Sequence, residues 1–187
     1  MLNEKQLIQG CLKQDQKIQK ILYEKYSSGF LGVCARYTQD RTEAEDVLQE
    51  AFLKIFVNIK QYSGSGSFEG WMRRIVVNTA ISHYRQNLKH YYNQEISEVK
   101  ESKIDDTVIY EADFTHEELL GVIRTLPRGY QVVFNLYAIE GYMHKEIAEM
   151  LDIDINTSKS QFSRARKIMQ QKLREYGRER KTVSLLT

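Results

Sequence analysis

Apolar side chains recur at steps of three and four along most of this chain, and an alternation of period two is sustained nowhere. That spacing is the mark of amphipathic helices, so the expected fold is all-α. Between residues 4 and 26 the apolar set is Leu7, Ile8, Cys11, Leu12, Ile18, Ile21, Leu22 and Tyr26, with a break near Gln14–Gln16. After Ser27-Ser28-Gly29 the chain continues as a helix from Phe30 to Tyr37. Thr42, with Glu45 three residues on, reads as a capping box. The helix it opens carries Val47, Leu48, Ala51, Phe52, Ile55, Phe56 and Ile59 as an apolar stripe. Ser63-Gly64-Ser65-Gly66-Ser67 breaks the helix. Another begins at Phe68 and runs to about Leu88, with Trp71, Met72, Ile75, Val76, Thr79, Ala80 and Tyr84 along it.

Periodicity is lost over residues 91–115, which are acidic with scattered Ile and Val, and this stretch reads as a linker. A second helical module comes after it. Thr115 and Glu118 form a capping box for a helix through Leu119, Leu120, Val122 and Ile123. Leu126-Pro127 begins the next helix, since proline suits a first turn, and Gly141 suits its left-handed end. The expected organisation is a helical domain over 1–90, a linker over 91–115 and a helical domain over 116–187.

Composition narrows the function classes. The chain has 187 residues, one proline, two cysteines and 42% hydrophobic residues, a core-forming balance. Its apolar runs stay at three or four residues, well short of the roughly 20 that span a bilayer. The first residues, MLNEKQLIQG, lack the apolar segment of a secretory signal. A cytoplasmic location is expected. Cys11 and Cys34 show no metal-ligand spacing and read as small buried hydrophobes. The formal net charge is only +2. It is distributed unevenly: residues 71–90 carry Arg73, Arg74, Arg85 and Lys89 and no acid, whereas residues 91–118 carry nine acids against Lys100 and Lys103. Basic patches of this kind suit a polyanion, although solvated helix faces have the same composition.

Residues 144–173 carry the sharpest chemical pattern. Ile147, Ala148 and Leu151 form the inner face of a short helix, and Asp152-Ile153-Asp154 makes a tight turn in which Asp154 caps a second, longer helix. In that longer helix Ser158, Phe162, Ala165, Met169 and Leu173 form one stripe, and Lys159, Ser160, Ser163, Arg164 and Lys167 face away from it. A short helix, a three-residue turn and a longer basic helix are the parts of a DNA-reading helix-turn-helix. Asn156 and Thr157 lie in the first turn, where backbone N–H groups also favour phosphate. An ordinary antiparallel helix pair is the alternative.

Nearer the N-terminus, Tyr62, Phe68 and Trp71 flank the Ser-Gly loop, and Arg74, Asn78, Thr79 and Arg85 come after them. Rings stack on unpaired bases, guanidinium groups hold phosphate and amides read base edges. A core role suits Trp71 as well. Asp46, Gln49, Glu50 and Lys54 share one polar helix face, which suits either a basic protein partner or water.

Together the segments A-E-D-V-L-Q-E-A-F-L-K-I-F (Ala44–Phe56), F-E-G-W-M-R-R-I-V-V-N-T-A (Phe68–Ala80), L-P-x-x-Y-Q-V-V-F (Leu126–Phe134), E-G-Y-x-x-K-E-I-A-E-M-L (Glu140–Leu151) and S-K-S-Q-F-S-R-A-R-K (Ser158–Lys167) resemble the extracytoplasmic-function (ECF) group of bacterial RNA polymerase sigma factors. The resemblance covers residues of about 5–90 and 115–175. It implies that Asp46, Gln49, Glu50 and Phe52 dock on the polymerase clamp. It implies that the 61–70 loop, with Tyr62, Phe68, Trp71, Arg74, Asn78, Thr79 and Arg85, melts the minus-ten element and captures single strand. It implies that Asn156, Thr157, Lys159, Ser160, Gln161, Ser163, Arg164 and Lys167 read the minus-thirty-five element. The implied partners are core RNA polymerase, promoter DNA as duplex and melted strand, and an anti-sigma factor, with no cofactor and no small-molecule substrate.

The chain departs from the family pattern in several places. Met143 stands where Ser or Thr is common, so the box with Glu146 is expected to be lost at a cost of about 1 kcal/mol. Ser158 replaces an apolar residue of the inner stripe, and Gln161 stands where Arg is frequent. The tail from Arg178 to Thr187 matches nothing assignable.

The alternative function is an autonomous helix-turn-helix regulator that binds duplex DNA without polymerase. Such proteins usually act as dimers over two half-sites, and this reading gives the 62–85 module no task. An enzyme is the third possibility, but Asp105-Asp106 has no histidine or phosphate loop near it, and no nucleophile–base arrangement is present.

Overall fold

The computed structural model describes residues 2–88 and 114–184, and every regular element among them is helical. The chain divides into two compact units, Met1–Leu88 and Lys89–Thr187. Nearly all of the expected linker, residues 91–113, lies outside the described residues. Among the described residues, no helix is long and apolar enough to cross a membrane.

The first unit contains α1 (Glu4–Leu12), α2 (Gln16–Cys34), α3 (Arg41–Asn58) with a 3-10 turn over Ile59–Gln61, and α4 (Phe68–Gln86). The break expected near Gln14–Gln16 is present. Gln14 takes a φ of 58°, and Asp15 then caps α2 by accepting from the Lys17 N–H at 2.9 Å. Gly10 permits α1 to cross α2, because a Cβ there lies 2.5 Å from Ile18 Cγ2.

The helix continues past Ser27-Ser28-Gly29 as expected but ends at Cys34 rather than Tyr37, and the cap of α3 needs correction. The low propensity of the Ser-Ser-Gly stretch costs roughly 2 kcal/mol in all, less than is gained by burying Leu22, Phe30, Val33 and Cys34 on one side. The cap of α3 is Asp40, not Thr42. The Asp40 carboxylate accepts from the Glu43 N–H at 2.9 Å, and the Glu43 carboxylate accepts from the Gln39 N–H at 2.9 Å. Helices α2, α3 and α4 pack against one another around Phe30, Val47, Phe52, Ile55, Phe68, Met72 and Val76.

The second unit contains α5 (His116–Arg124), α6 (Arg128–Phe134), a π-helical turn over Asn135–Ile139, α7 (His144–Leu151) and α8 (Ile155–Ser184). Thr115 and Glu118 form the expected capping box of α5. Pro127, with φ −50° and ψ 140°, is the N-cap of α6 and stands just before its first turn rather than inside it. The π turn was not foreseen from the periodicity, and Gly141, with φ 78°, comes after it as expected. The capping box at Met143 is half retained, since the Glu146 carboxylate still accepts from the Met143 N–H at 2.7 Å. Val122, Ile123, Leu126, Ala165 and Met169 form one core cluster, and Val132, Val133, Leu136, Ile147 and Leu151 are also buried.

Candidate nucleic-acid and polymerase interfaces

The duplex-reading candidate is built from α7, a turn and α8. Asp152 ends α7 in the left-handed conformation, with φ 57° and ψ 49°. The Asp154 carboxylate then accepts from the Asn156 N–H at 2.7 Å, and its carbonyl from the Ser158 N–H at 3.0 Å. The reversal is therefore held at both ends by hydrogen bonds, and the start of α8 is fixed relative to α7. Asn156, Lys159, Ser160, Ser163, Arg164 and Lys167 are exposed on α8. Thr157 and Gln161 are half-buried. The Gln161 amide packs over Gly129 of α6, its Nε2 3.4 Å from where a Cβ would stand. Arg164 reaches the Tyr130 hydroxyl at 3.4 Å. The outward face is thus Asn156, Lys159, Ser160, Ser163 and Lys167, while Gln161 and Arg164 lean towards α6.

Ser158, the departure on the inner stripe, is fully buried. Its hydroxyl lies 2.9 Å from His144 Nδ1 of α7. The His144 ring stacks on Tyr137, with centroids 4.4 Å apart and planes 15° from parallel, and meets the edge of Phe162. Burial, and then the charge of Lys159, lower the pKa of His144 below its ordinary value. Sequence reasoning missed His144. The signal available was a hydroxyl on an apolar stripe, which needs a partner.

The single-strand candidate begins at the Ser-Gly loop. Tyr62, Phe68 and Trp71 form a contiguous ring cluster, with centroid separations of 5.0, 5.6 and 5.8 Å. The Tyr62 hydroxyl donates to the Gly66 carbonyl at 2.8 Å and so closes the loop on itself. Gly64 and Gly66 hold φ values of 78° and 85°, which a side chain would strain. Ser67 caps α4 by accepting from the Gly70 N–H at 3.2 Å. Along α4, Arg74, Asn78 and Arg85 are exposed, and Trp71 and Tyr62 are half-buried. Two expected contact residues do not reach this face. Phe68 is fully buried beneath the rings. Thr79 is buried, and its hydroxyl donates back to the Ile75 carbonyl at 2.9 Å. Both sit on the inner side of α4 and support the face rather than form it.

The third surface is on α3. Asp46, Gln49 and Glu50 are exposed along one stripe. Glu50 is paired with Lys54 at 2.7 Å. Phe52 is not on that stripe. It is 2% exposed and packs against Tyr23 at 4.7 Å and Phe56 at 5.9 Å. The apolar residues that share the acidic stripe are Leu53 and Val57, 66% and 77% exposed. Positions 46, 49, 50, 53 and 57 follow helical spacing, whereas 52 falls with 48, 55 and 59.

Comparison with known proteins gives the family. Residues 22–89 match the family model "Sigma-70 region 2" and residues 116–169 match "Sigma-70, region 4". The chain belongs to the sigma-70 family of RNA polymerase sigma factors. Within that family it falls in the extracytoplasmic-function group. It is 28% identical over 182 residues to the ECF RNA polymerase sigma-E factor of Haemophilus influenzae, covering 92% of this chain and 96% of that one. It is 29% identical over 181 residues to the ECF RNA polymerase sigma factor SigW of Bacillus subtilis, covering 91% of this chain and 97% of that one. The fold is similar to that of a sigma factor RpoE from Bartonella quintana, solved in complex with the anti-sigma factor NepR. The TM-score is 0.50, with 17% identity over 83% of this chain and 96% of that one. Sigma factors are the subunits through which RNA polymerase recognises promoters, and that function is favoured over an autonomous regulator. As a class they are DNA-recognition subunits rather than catalysts.

Proposed function

We propose that the three surfaces divide the work of promoter recognition among them. Residues 1–90 form the core-binding and minus-ten domain, residues 116–187 form the minus-thirty-five domain, and 91–115 join them. The chain acts in the cytoplasm, on core polymerase and promoter DNA, and carries no catalytic step of its own. Asp46, Gln49 and Glu50, with Leu53 and Val57 beside them, dock on a basic, partly apolar surface of the polymerase. Arg74, Asn78 and Arg85 hold melted strand against Trp71 and Tyr62. Asn156, Lys159, Ser160, Ser163 and Lys167 enter the major groove, where Lys pairs with phosphate or guanine and Ser and Asn with either edge or backbone. An anti-sigma factor is a further partner, since a similar fold has been solved bound to one.

The observation that carries this reading is the pairing, in one chain, of a duplex-reading basic helix with an aromatic–arginine face. Each of those modules alone makes few contacts, so the free protein binds promoter duplex weakly. The test is a titration of labelled protein into bacterial core RNA polymerase without DNA. Tight binding is expected, weakened at least tenfold by Asp46→Lys with Glu50→Lys and by Leu53→Asp. No binding to core, with tight binding to duplex DNA instead, would return the autonomous regulator.

A further inference from the structure

We propose that His144 is a positioning residue for minus-thirty-five recognition, setting the rotation of α8 about its own axis through its hydrogen bond to Ser158. The inference rests on α8 being the recognition helix. Apolar packing holds a helix by shape, but the apolar attraction has no preferred angle of its own. A hydrogen bond has a set length and angle. The His144–Ser158 bond, at 2.9 Å, ties the inner face of α8 to the first turn of α7. Its histidine end is itself oriented by the Tyr137 stack at 4.4 Å, and its serine end is fully buried. Both partners are therefore fixed.

Ser158 lies next to Lys159 and Ser160, and one turn above them come Ser163 and Arg164. A helix with its side chains is about 10–12 Å across, so a 15° roll moves a side-chain tip by about 1.5 Å. Productive contacts tolerate about 0.5 Å. The bond thus sits where a small rotation is felt at every outward residue. An alanine at 158 would fit within the same space without needing a partner, so packing alone gives no reason for a serine there.

The experiment uses holoenzyme assembled with the full chain. It compares binding to a promoter with an intact minus-thirty-five element and to one with that element scrambled, alongside thermal melting of each variant. Ser158→Ala and His144→Leu are expected to lose selectivity three- to tenfold at temperatures well below the melting transition of each variant, even though both melt somewhat earlier than the wild type. His144→Asn, which keeps a hydrogen-bonding atom near the Nδ1 position, is expected to recover at least half of the selectivity. Selectivity unchanged in Ser158→Ala and His144→Leu would overturn the inference alone. So would an equal loss in His144→Asn and His144→Leu, because the bond would then not be the cause. A wild-type holoenzyme that does not distinguish the two promoters would remove the recognition-helix reading, and the inference with it.

Discussion

Replacing Tyr62 with phenylalanine removes one hydroxyl and keeps the ring. The hydroxyl donates to the Gly66 carbonyl at 2.8 Å, and the ring contacts Phe68 at 5.0 Å and Trp71 at 5.6 Å. The substitution therefore separates loop closure from aromatic packing. The bond is exposed, so its net contribution lies in the lower half of the usual range, about 0.5–1 kcal/mol. That energy holds a segment containing two left-handed glycines, Gly64 and Gly66, which are free to take many other conformations once released. Apparent affinity for a captured base scales with the fraction of loop in the competent shape. A loss of about 0.5–1 kcal/mol reduces that fraction roughly two- to fivefold where the competent shape does not dominate. The assay is open-complex formation by holoenzyme on a promoter carrying 2-aminopurine in the minus-ten element, read by fluorescence. Tyr62→Phe should open the promoter two- to fivefold less well, bind core polymerase as tightly as the wild type, and melt within a few degrees of it. Unchanged opening would refute the closure argument. A parallel loss of core binding would show that the hydroxyl supports the whole unit and not the loop.

Gly10→Ala should destabilise the first unit by about 2 kcal/mol, because the new methyl meets the stiff branched carbons of Ile18. A drop of roughly 10 °C in its melting transition is expected, and an unchanged transition would mean that α1 simply shifts. The pKa of His144 is lowered by burial and then by Lys159, with Lys145, Glu146 and Glu149 the charged groups on its own helix. The unfolded chain therefore binds the proton more readily than the folded one, and stability contributed at neutral pH declines as pH falls below about 6.5. The second unit's melting transition should fall between pH 7.5 and 5.5 by more than it does in His144→Asn; equal shifts would assign the effect elsewhere. Burial pushes the Cys34 thiol up to about 12 and, with Asp15, the Cys11 thiol up to about 11. At pH 8 neither should react with Ellman's reagent in the native protein, and both should react fully in denaturant. Fast native reaction of either would show local opening.

Much of this architecture is legible in the residue pattern, and the failures are specific. Period-3.6 stripes located the helices, and Thr115 with Glu118, Asp154, Gly141 and the Ser-Gly loop located their ends. Local signals are overridden where burial outweighs them, as in α2, which continues through Ser27-Ser28-Gly29. They failed where two adjacent caps competed. Asp40 and Thr42 are both good cap residues, and the choice was made by Glu43, whose carboxylate closes on Gln39. At the docking stripe the error was one of phase. Successive helical residues are about 100° apart, so Phe52 and Leu53 point to different places, and the larger ring took the core. The His144–Ser158 bond spans 14 residues and two helices, beyond what spacing within a single helix reveals.

The residues assigned to the interfaces divide by what lies beneath them. Arg74 and Asn78 project from a helix whose inner side is Phe68, Met72, Val76 and Thr79. That inner side holds the helix axis, and the ring cluster below the loop holds its entry. The buried hydroxyl on that side, Thr79, is satisfied within its own helix by the Ile75 carbonyl. The recognition helix is supported differently. Its inner side includes Ser158, and the neighbouring segment buries Gln131 and Asn135, at the start of a π turn where the helical hydrogen-bond pattern changes. Buried polar groups require particular partners, so they favour one arrangement of the helices over its near neighbours. A surface that captures an unpaired base tolerates some play, because stacking depends little on the base. A helix that reads base edges in a groove does not, since its discrimination depends on hydrogen-bond geometry at each pair. The His144–Ser158 bond, which joins two helices, lies in the unit whose proposed task needs direction.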